Sequence, residues 1–348
     1  MKINVIKKNK YRYDSIDGMR LVMALMVAML HVGMPLGFCE KYMCDVARNA
    51  VPFFYMCSGF FIYSSRYGIV NGRIKSSLKK TIVFLAFTTL FYLVLELLLW
   101  QDFKGVLCKL SGILSVDTLF FNSTPFMPVG WYLAALIYSL LVVKVILKYF
   151  PKPNWFWWCI IVFCLFYSLL TGVYQKVMFE NWQFSLKYNC CWISALPWLM
   201  IGMLISYYNG TRGCVLRNRW LLVAVVVGVL LCLVEHYVVK RITGVMVVGT
   251  LYFGTILSAP TLFVYLVQNR SFLGKVAPWG RKYSSNIYFY HVACNYVLCF
   301  VFGVRFDFPL GGVISLPFNY TILINCFSTS LLAAIVPLLI NKISRKWN

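Results

Sequence analysis

The sequence predicts an all-α integral membrane protein of about ten transmembrane helices, with the N-terminus and the C-terminus both cytoplasmic. Three observations carry this expectation. The composition is 61% hydrophobic and only 12% charged, about half the charged fraction of a soluble domain, and mean hydropathy is +0.75. Apolar runs long enough to cross a bilayer recur along the chain. Lys and Arg gather in alternate connecting segments, as cytoplasmic loops require.

The runs begin near residues 19, 49, 81, 130, 155, 190, 220, 245, 284 and 320. A basic lead, residues 1–15, precedes the first, and no small-residue cleavage site follows it, so this helix is expected to stay as a signal anchor. The second and ninth runs are weak, because they contain Cys57, Ser58 and Gly59 in one and Ser285, Asn286 and His291 in the other. Helices of that kind belong inside the bundle, away from lipid. Residues 101–129 form the longest stretch that does not span. Asp102, Lys104, Lys109, Asp117 and Pro125 break its hydropathy. It reads either as an outer-face amphipathic or re-entrant segment that roofs a cavity, or as an ordinary loop. No internal repeat or linker divides the chain, so residues 1–348 form a single domain.

Charge fixes the orientation. With the N-terminus inside, the cytoplasmic segments collect Lys2 to Arg12, then Arg66, Arg73, Lys75, Lys79 and Lys80, and later clusters up to Lys342, Arg345 and Lys346, which is most of the 33 basic residues. Glu40, Asp45, Asp102, Asp117, Glu180, Glu235 and Asp307 fall outside, whereas Asp14 and Asp17 fall inside. The net charge of +23 is therefore topogenic, and its scatter through short loops excludes a nucleic-acid partner. The lipid bilayer is the expected partner. The thirteen cysteines show no Cys-x-x-Cys and no zinc spacing, so no metal is expected. Cys39 and Cys44 share an outer loop and could pair. His236, beside Glu235 at an outer helix end, is expected at the membrane interface.

Polar groups inside the runs carry the functional reading. Arg20 and His31 lie eleven residues apart on the first helix. At 100° per residue they share a face and are about 16 Å apart along the axis. An ionisable residue in a membrane helix is functional by default, although a packed histidine satisfied by a carbonyl is the alternative. His291 invites the same argument, with Tyr288 three residues before it and Asn295 four after it on the same face.

Four motifs then resemble the integral-membrane acyltransferase-3 superfamily. The first helix begins Ile16-Asp17-Gly18-Met19-Arg20 and continues to His31. The second reads Val51-Pro52-Phe53-Phe54-Tyr55-Met56-Cys57-Ser58-Gly59-Phe60-Phe61. Gly130-Trp131-Tyr132-Leu133 is similar to the family's tryptophan-led helix, and Ile287-Tyr288-Phe289-Tyr290-His291 to its late Tyr-x-x-His element. The resemblance implies acyl transfer from cytoplasmic acyl-CoA to an acceptor hydroxyl at the outer face of a bacterial plasma membrane. It implies His31 as general base, Arg20 as the group that orients the donor, and Asp17 beside it in the catalytic motif. Ser58, Trp131, Tyr288 and His291 would line the substrate site. Arg66, Arg73 and Lys75 would hold coenzyme phosphates, or serve only as topogenic charge. Leu21 replaces a glycine common among relatives, and no glutamate flanks Trp131, which leaves the acceptor open.

A narrower resemblance competes. Val51 to Gly59, the Trp131 helix and Leu196-Pro197-Trp198…Gly202-Met203-Leu204 are similar to the membrane half of the vancomycin-resistance serine racemases. That implies L-serine uptake, with the basic segment Asn341 to Lys346 leading into a fused cytoplasmic racemase domain. Enzyme and amino-acid carrier thus both stand as expectations, beside a structural or sensory domain without turnover.

Overall fold

The computed structural model describes residues 12–32, 45–101, 103–112, 130–172, 174–178, 192–211, 217–244 and 251–301. Among these, all regular structure is helical. The helices are α1 Asp14–Val32, α2 Ala50–Ile62, α3 Tyr67–Trp100, α4 Phe103–Ser111, α5 Gly130–Tyr149, α6 Trp155–Leu170, α7 Gln175–Met178, α8 Trp192–Thr211, α9 Asn218–Thr243, α10 Phe253–Gln268 and α11 Ala277–Val301. Nine of the ten expected runs coincide with α1, α2, α3, α5, α6, α8, α9, α10 and α11. The run near 320, most of the basic lead, the Cys39–Cys44 pairing, residues 113–129 and the basic C-terminal segment lie outside the described residues.

Three helices are long and apolar enough to cross a bilayer by themselves: α3, α5 and α9. Two of them ride on the periphery. In the most apolar stretch of α3 only 17% of residues are buried, and in that of α9 22%, against 61% for α5. The outward faces of α3 (Ile82, Phe87, Leu90, Val94, Leu98) and α9 (Val223, Val226, Leu230, Val234) are exposed and apolar. In water such surfaces would drive association; in hydrocarbon they are the lipid face, and the chain is a membrane protein.

Helix α2 is the opposite case. Its thirteen residues rise only about 20 Å, short of the hydrocarbon thickness, and all but three are buried. The polar second run is a bundle-interior helix, as its weak hydropathy predicts.

Close backbone approach holds the bundle together. Helix pairs α1/α11, α2/α8 and α9/α10 make the most extensive contacts, and each has glycine at its crossing. A Cβ on Gly280 would stand 2.7 Å from the Asp17 carbonyl carbon, one on Gly202 2.7 Å from Met56 Cα, and one on Gly228 2.7 Å from the Ser258 nitrogen. Only small residues permit such crossings, and without a hydrophobic drive between helices in lipid, this packing supplies much of the cohesion.

The segment after α3 begins with α4, whose Phe103, Leu107 and Leu110 are exposed on one face while Val106 is buried. Lys109 Nζ on α4 reaches the Glu96 carboxylate of α3 at 2.6 and 2.8 Å. This part of residues 101–129 is an amphipathic helix tied to the side of α3.

Candidate functional site

Helix α1 enters the bundle under tight control. Ser15 Oγ donates to the Leu266 carbonyl at 2.6 Å, and its backbone N–H to Arg270 at 2.9 Å, fixing the start of α1 against the end of α10. Asp14 and Asp17 occupy the first turn, where carboxylates suit the helix dipole. From α11, Arg281 Nη1 donates to Asp14 Oδ1 and to Asp17 Oδ2, both at 2.9 Å. The other oxygen of Asp17 faces Arg20 Nη1 at 3.7 Å. Asp17 is therefore engaged on both oxygens by two guanidinium groups, an arrangement that positions Arg20.

Arg20 also crosses to α11, donating from Nη2 to Ser285 Oγ at 3.4 Å. Its side chain keeps 28% of its surface accessible. The unbroken helix α1 carries His31 on the same face, three turns and about 16 Å beyond Arg20. The side chains of residues 29–32 lie outside the described set.

Aromatic rings from three helices meet around Tyr132. The Tyr132 ring stacks on Tyr55 at 4.5 Å, and meets Tyr288 of α11 at 5.1 Å, while Phe54 contacts Tyr288 at 5.3 Å. The Ser58 hydroxyl donates to the Phe54 carbonyl of its own helix at 3.2 Å. Tyr288 is thus brought to Tyr132. Trp131, singled out from the motif, is half-buried against the core. Adjacent aromatics on a helix face different ways, and the motif alone does not say which turns inward. His291 is fully buried, with Nδ1 3.1 Å from the Ile287 carbonyl.

The three basic residues that follow α2 separate in role. Arg73 Nη1 donates to the Tyr63 carbonyl at 2.7 Å and lies 3.5 Å from that of Ile62. It caps the C-terminal end of α2, where a cation offsets unpaired carbonyls. Arg66 and Lys75 are exposed.

A second polar cluster joins the segment before α2 to the facing ends of α9 and α10. Asp45 Oδ1 is 3.2 Å from His236 Nδ1 and 3.4 Å from Arg48 Nε, and all three side chains are buried or nearly so. Burial raises the Asp45 pKa above the usual carboxylate range, against the opposing pull of Arg48 and His236. The Tyr252 hydroxyl is 3.2 Å from His236 Nδ1, and the Glu235 carboxylate accepts from the Phe253 N–H at 2.9 Å, starting α10. Ser258 Oγ donates to Asn49 Oδ1 at 2.6 Å. His236 is 5% exposed inside a helix crossing. The Gly228–Gly254 approach draws α9 and α10 over it.

A family model described as an acyltransferase domain matches residues 13–336. The chain belongs to the acyltransferase-3 family. No curated protein and no solved structure matches it. The match runs through every helix described above, so the Asp17–Arg20 start, the Ser58 helix, the Tyr132 helix and the Tyr288–His291 helix are all parts of one acyltransferase-3 domain. In general terms the protein is a membrane acyltransferase.

Proposed function

We propose that this acyltransferase-3 domain moves an acyl group from a cytoplasmic acyl-CoA to a hydroxyl on an acceptor at the opposite face of a bacterial plasma membrane. The observation that carries the reading is the placement of Arg20, held by Asp17 and Ser285 with part of its surface accessible, on the helix that also carries His31. Arg20 binds and orients the donor near the cytoplasmic end, with exposed Arg66 and Lys75 available to its phosphates. The donor's extended arm covers the roughly 16 Å to His31. There the His31 imidazole accepts the proton of the acceptor hydroxyl, a task suited to a group that titrates near neutrality. The oxygen attacks the thioester carbonyl, the C–S bond breaks, and the proton passes from His31 to the departing thiolate. Asp17 and Arg281 position Arg20.

Thermal stabilisation of the purified full-length protein tests this reading. A ligand at a hundred times its dissociation constant adds about 2.7 kcal/mol. Acetyl-CoA is expected to raise the Tm of the wild type and of His31→Ala, but not of Arg20→Ala. No shift with acetyl-CoA, together with a shift from L-serine, overturns the enzyme reading in favour of an amino-acid carrier.

A further inference from the structure

Helices α5 and α6 follow one another in the chain and are tied together where they connect. Trp157 Nε1 donates to the Phe150 carbonyl at 3.2 Å, and the rings of Phe150 and Phe156 meet at 4.8 Å. Beyond this tie the two helices part. Helix α8 packs extensively against each of them, whereas they make no comparable contact with one another. The gap is a groove of about 400 Å³, walled by Val142 and Ile146 of α5 and by Ile160 and Phe163 of α6, with Ile193 and Leu196 of α8 at its back. Val142 and Ile146 are one turn apart on the same face of α5, so the wall is a continuous apolar stripe. Among the described residues, no hydroxyl, amide or charged side chain lines the groove.

Where the groove opens decides what fills it. Leu196 is 1% exposed, whereas Phe163 is 66% exposed, and Val162 and Phe166 beside it on α6 are exposed as well. This is the same kind of surface as the outward sides of α3 and α9, so the groove is a recess in the lipid face. Water has no place in it, because a buried water makes about three hydrogen bonds and the lining offers none. An empty recess is also unfavourable, since its walls forfeit dispersion contacts. A dry apolar cavity of about 150 Å³ takes up benzene, and this groove, larger and open at the side, suits a longer alkyl chain.

We propose that the groove between α5, α6 and α8 is a binding site for one hydrocarbon chain of a membrane phospholipid, which wedges α6 against the bundle. The occupant comes from the bilayer because the groove opens there. The proposal is independent of the acyl-transfer reading.

The test uses the full-length protein reconstituted in palmitoyl-oleoyl phosphatidylcholine doped with the same lipid carrying a photoactivatable diazirine on one acyl chain. Adducts are mapped by mass spectrometry. Leu196 is the diagnostic position, since it is buried and only a chain inside the groove reaches it; Val226, exposed on α9, reports lipid that merely surrounds the protein. The wild type is expected to carry adducts at both. Ile160→Trp fills the groove and should lose the Leu196 adduct while keeping that at Val226, and Val142→Phe, a smaller intrusion from the opposite wall, is the second variant should Ile160→Trp fail to fold. Labelling of Val226 without Leu196 in the wild type overturns the proposal, as does a Leu196 adduct undiminished in a folded variant. Loss of the Leu196 adduct on adding palmitoyl-CoA, with Val226 still labelled, assigns the groove to a donor's acyl chain and overturns the phospholipid.

Discussion

Gly280→Ala adds one methyl group at the point where α1 and α11 touch. The new Cβ would lie 2.7 Å from the Asp17 carbonyl carbon and nearer still to its oxygen, whereas ordinary contact begins at 3.4 Å. The obstacle is backbone on both sides, so no rotamer relieves it and the helices must part by about 1 Å. The Arg20–Ser285 contact, now 3.4 Å, would stretch to about 4.4 Å, beyond hydrogen-bonding range. Overpacking of this kind costs about 1–3 kcal/mol, offset by up to about 1 kcal/mol for replacing glycine in a helix. A net loss of about 1–2 kcal/mol is expected, with a loss of acetyl-CoA stabilisation out of proportion to it. Gly72→Ala is the control, because a Cβ there meets nothing within 4 Å and should gain about 0.5–1 kcal/mol. The assay is Tm with and without acetyl-CoA for both variants. A Gly280→Ala protein with wild-type Tm and wild-type donor response would refute the argument that backbone contact sets the Arg20 geometry.

Further outcomes follow from the ion pairs. Arg281→Gln releases Asp14 and Asp17, and since these groups are partly exposed the Tm should change little; donor affinity should fall, as read from the concentration of acetyl-CoA needed for half-maximal stabilisation. Arg73→Ala removes a helix cap and should cost about 1 kcal/mol while leaving donor affinity unchanged, and weakened donor binding there would restore Arg73 to the phosphate site. Asp45→Ala removes a buried carboxylate that faces both Arg48 and His236 and should cost about 1–3 kcal/mol in a thermal melt.

Much of the membrane architecture was legible in hydropathy because hydropathy reports contact with lipid. The weak second run is weak because α2 is enclosed, and the same reasoning reached the buried part of α11. Side-chain partnerships were less legible, since they depend on crossings between distant segments. Asp17 and Arg281 are 264 residues apart, and nothing local to either names the other. The burial of His236 was not legible in its position near the end of an apolar run, and only the glycines at 228 and 254 hinted that α10 would cover it. Tyr132 was hidden beside the more conspicuous Trp131.

The pairing of α1 with α11 has a consequence for how the protein is made. Arg20 and Ser285 are separated by 265 residues, which a ribosome adding about 5–20 residues per second needs roughly 13–53 s to synthesise. Throughout that interval α1 sits in the membrane with Arg20, Asp14 and Asp17 lacking their α11 partners and with Gly18 open to any close-packing helix. Nascent chains must therefore be shielded by the insertion machinery or by lipid headgroups until the last described helix arrives. A chain interrupted before Ala277 would leave α1 with the carboxylates of Asp14 and Asp17 unmatched by Arg281 rather than a partly active enzyme.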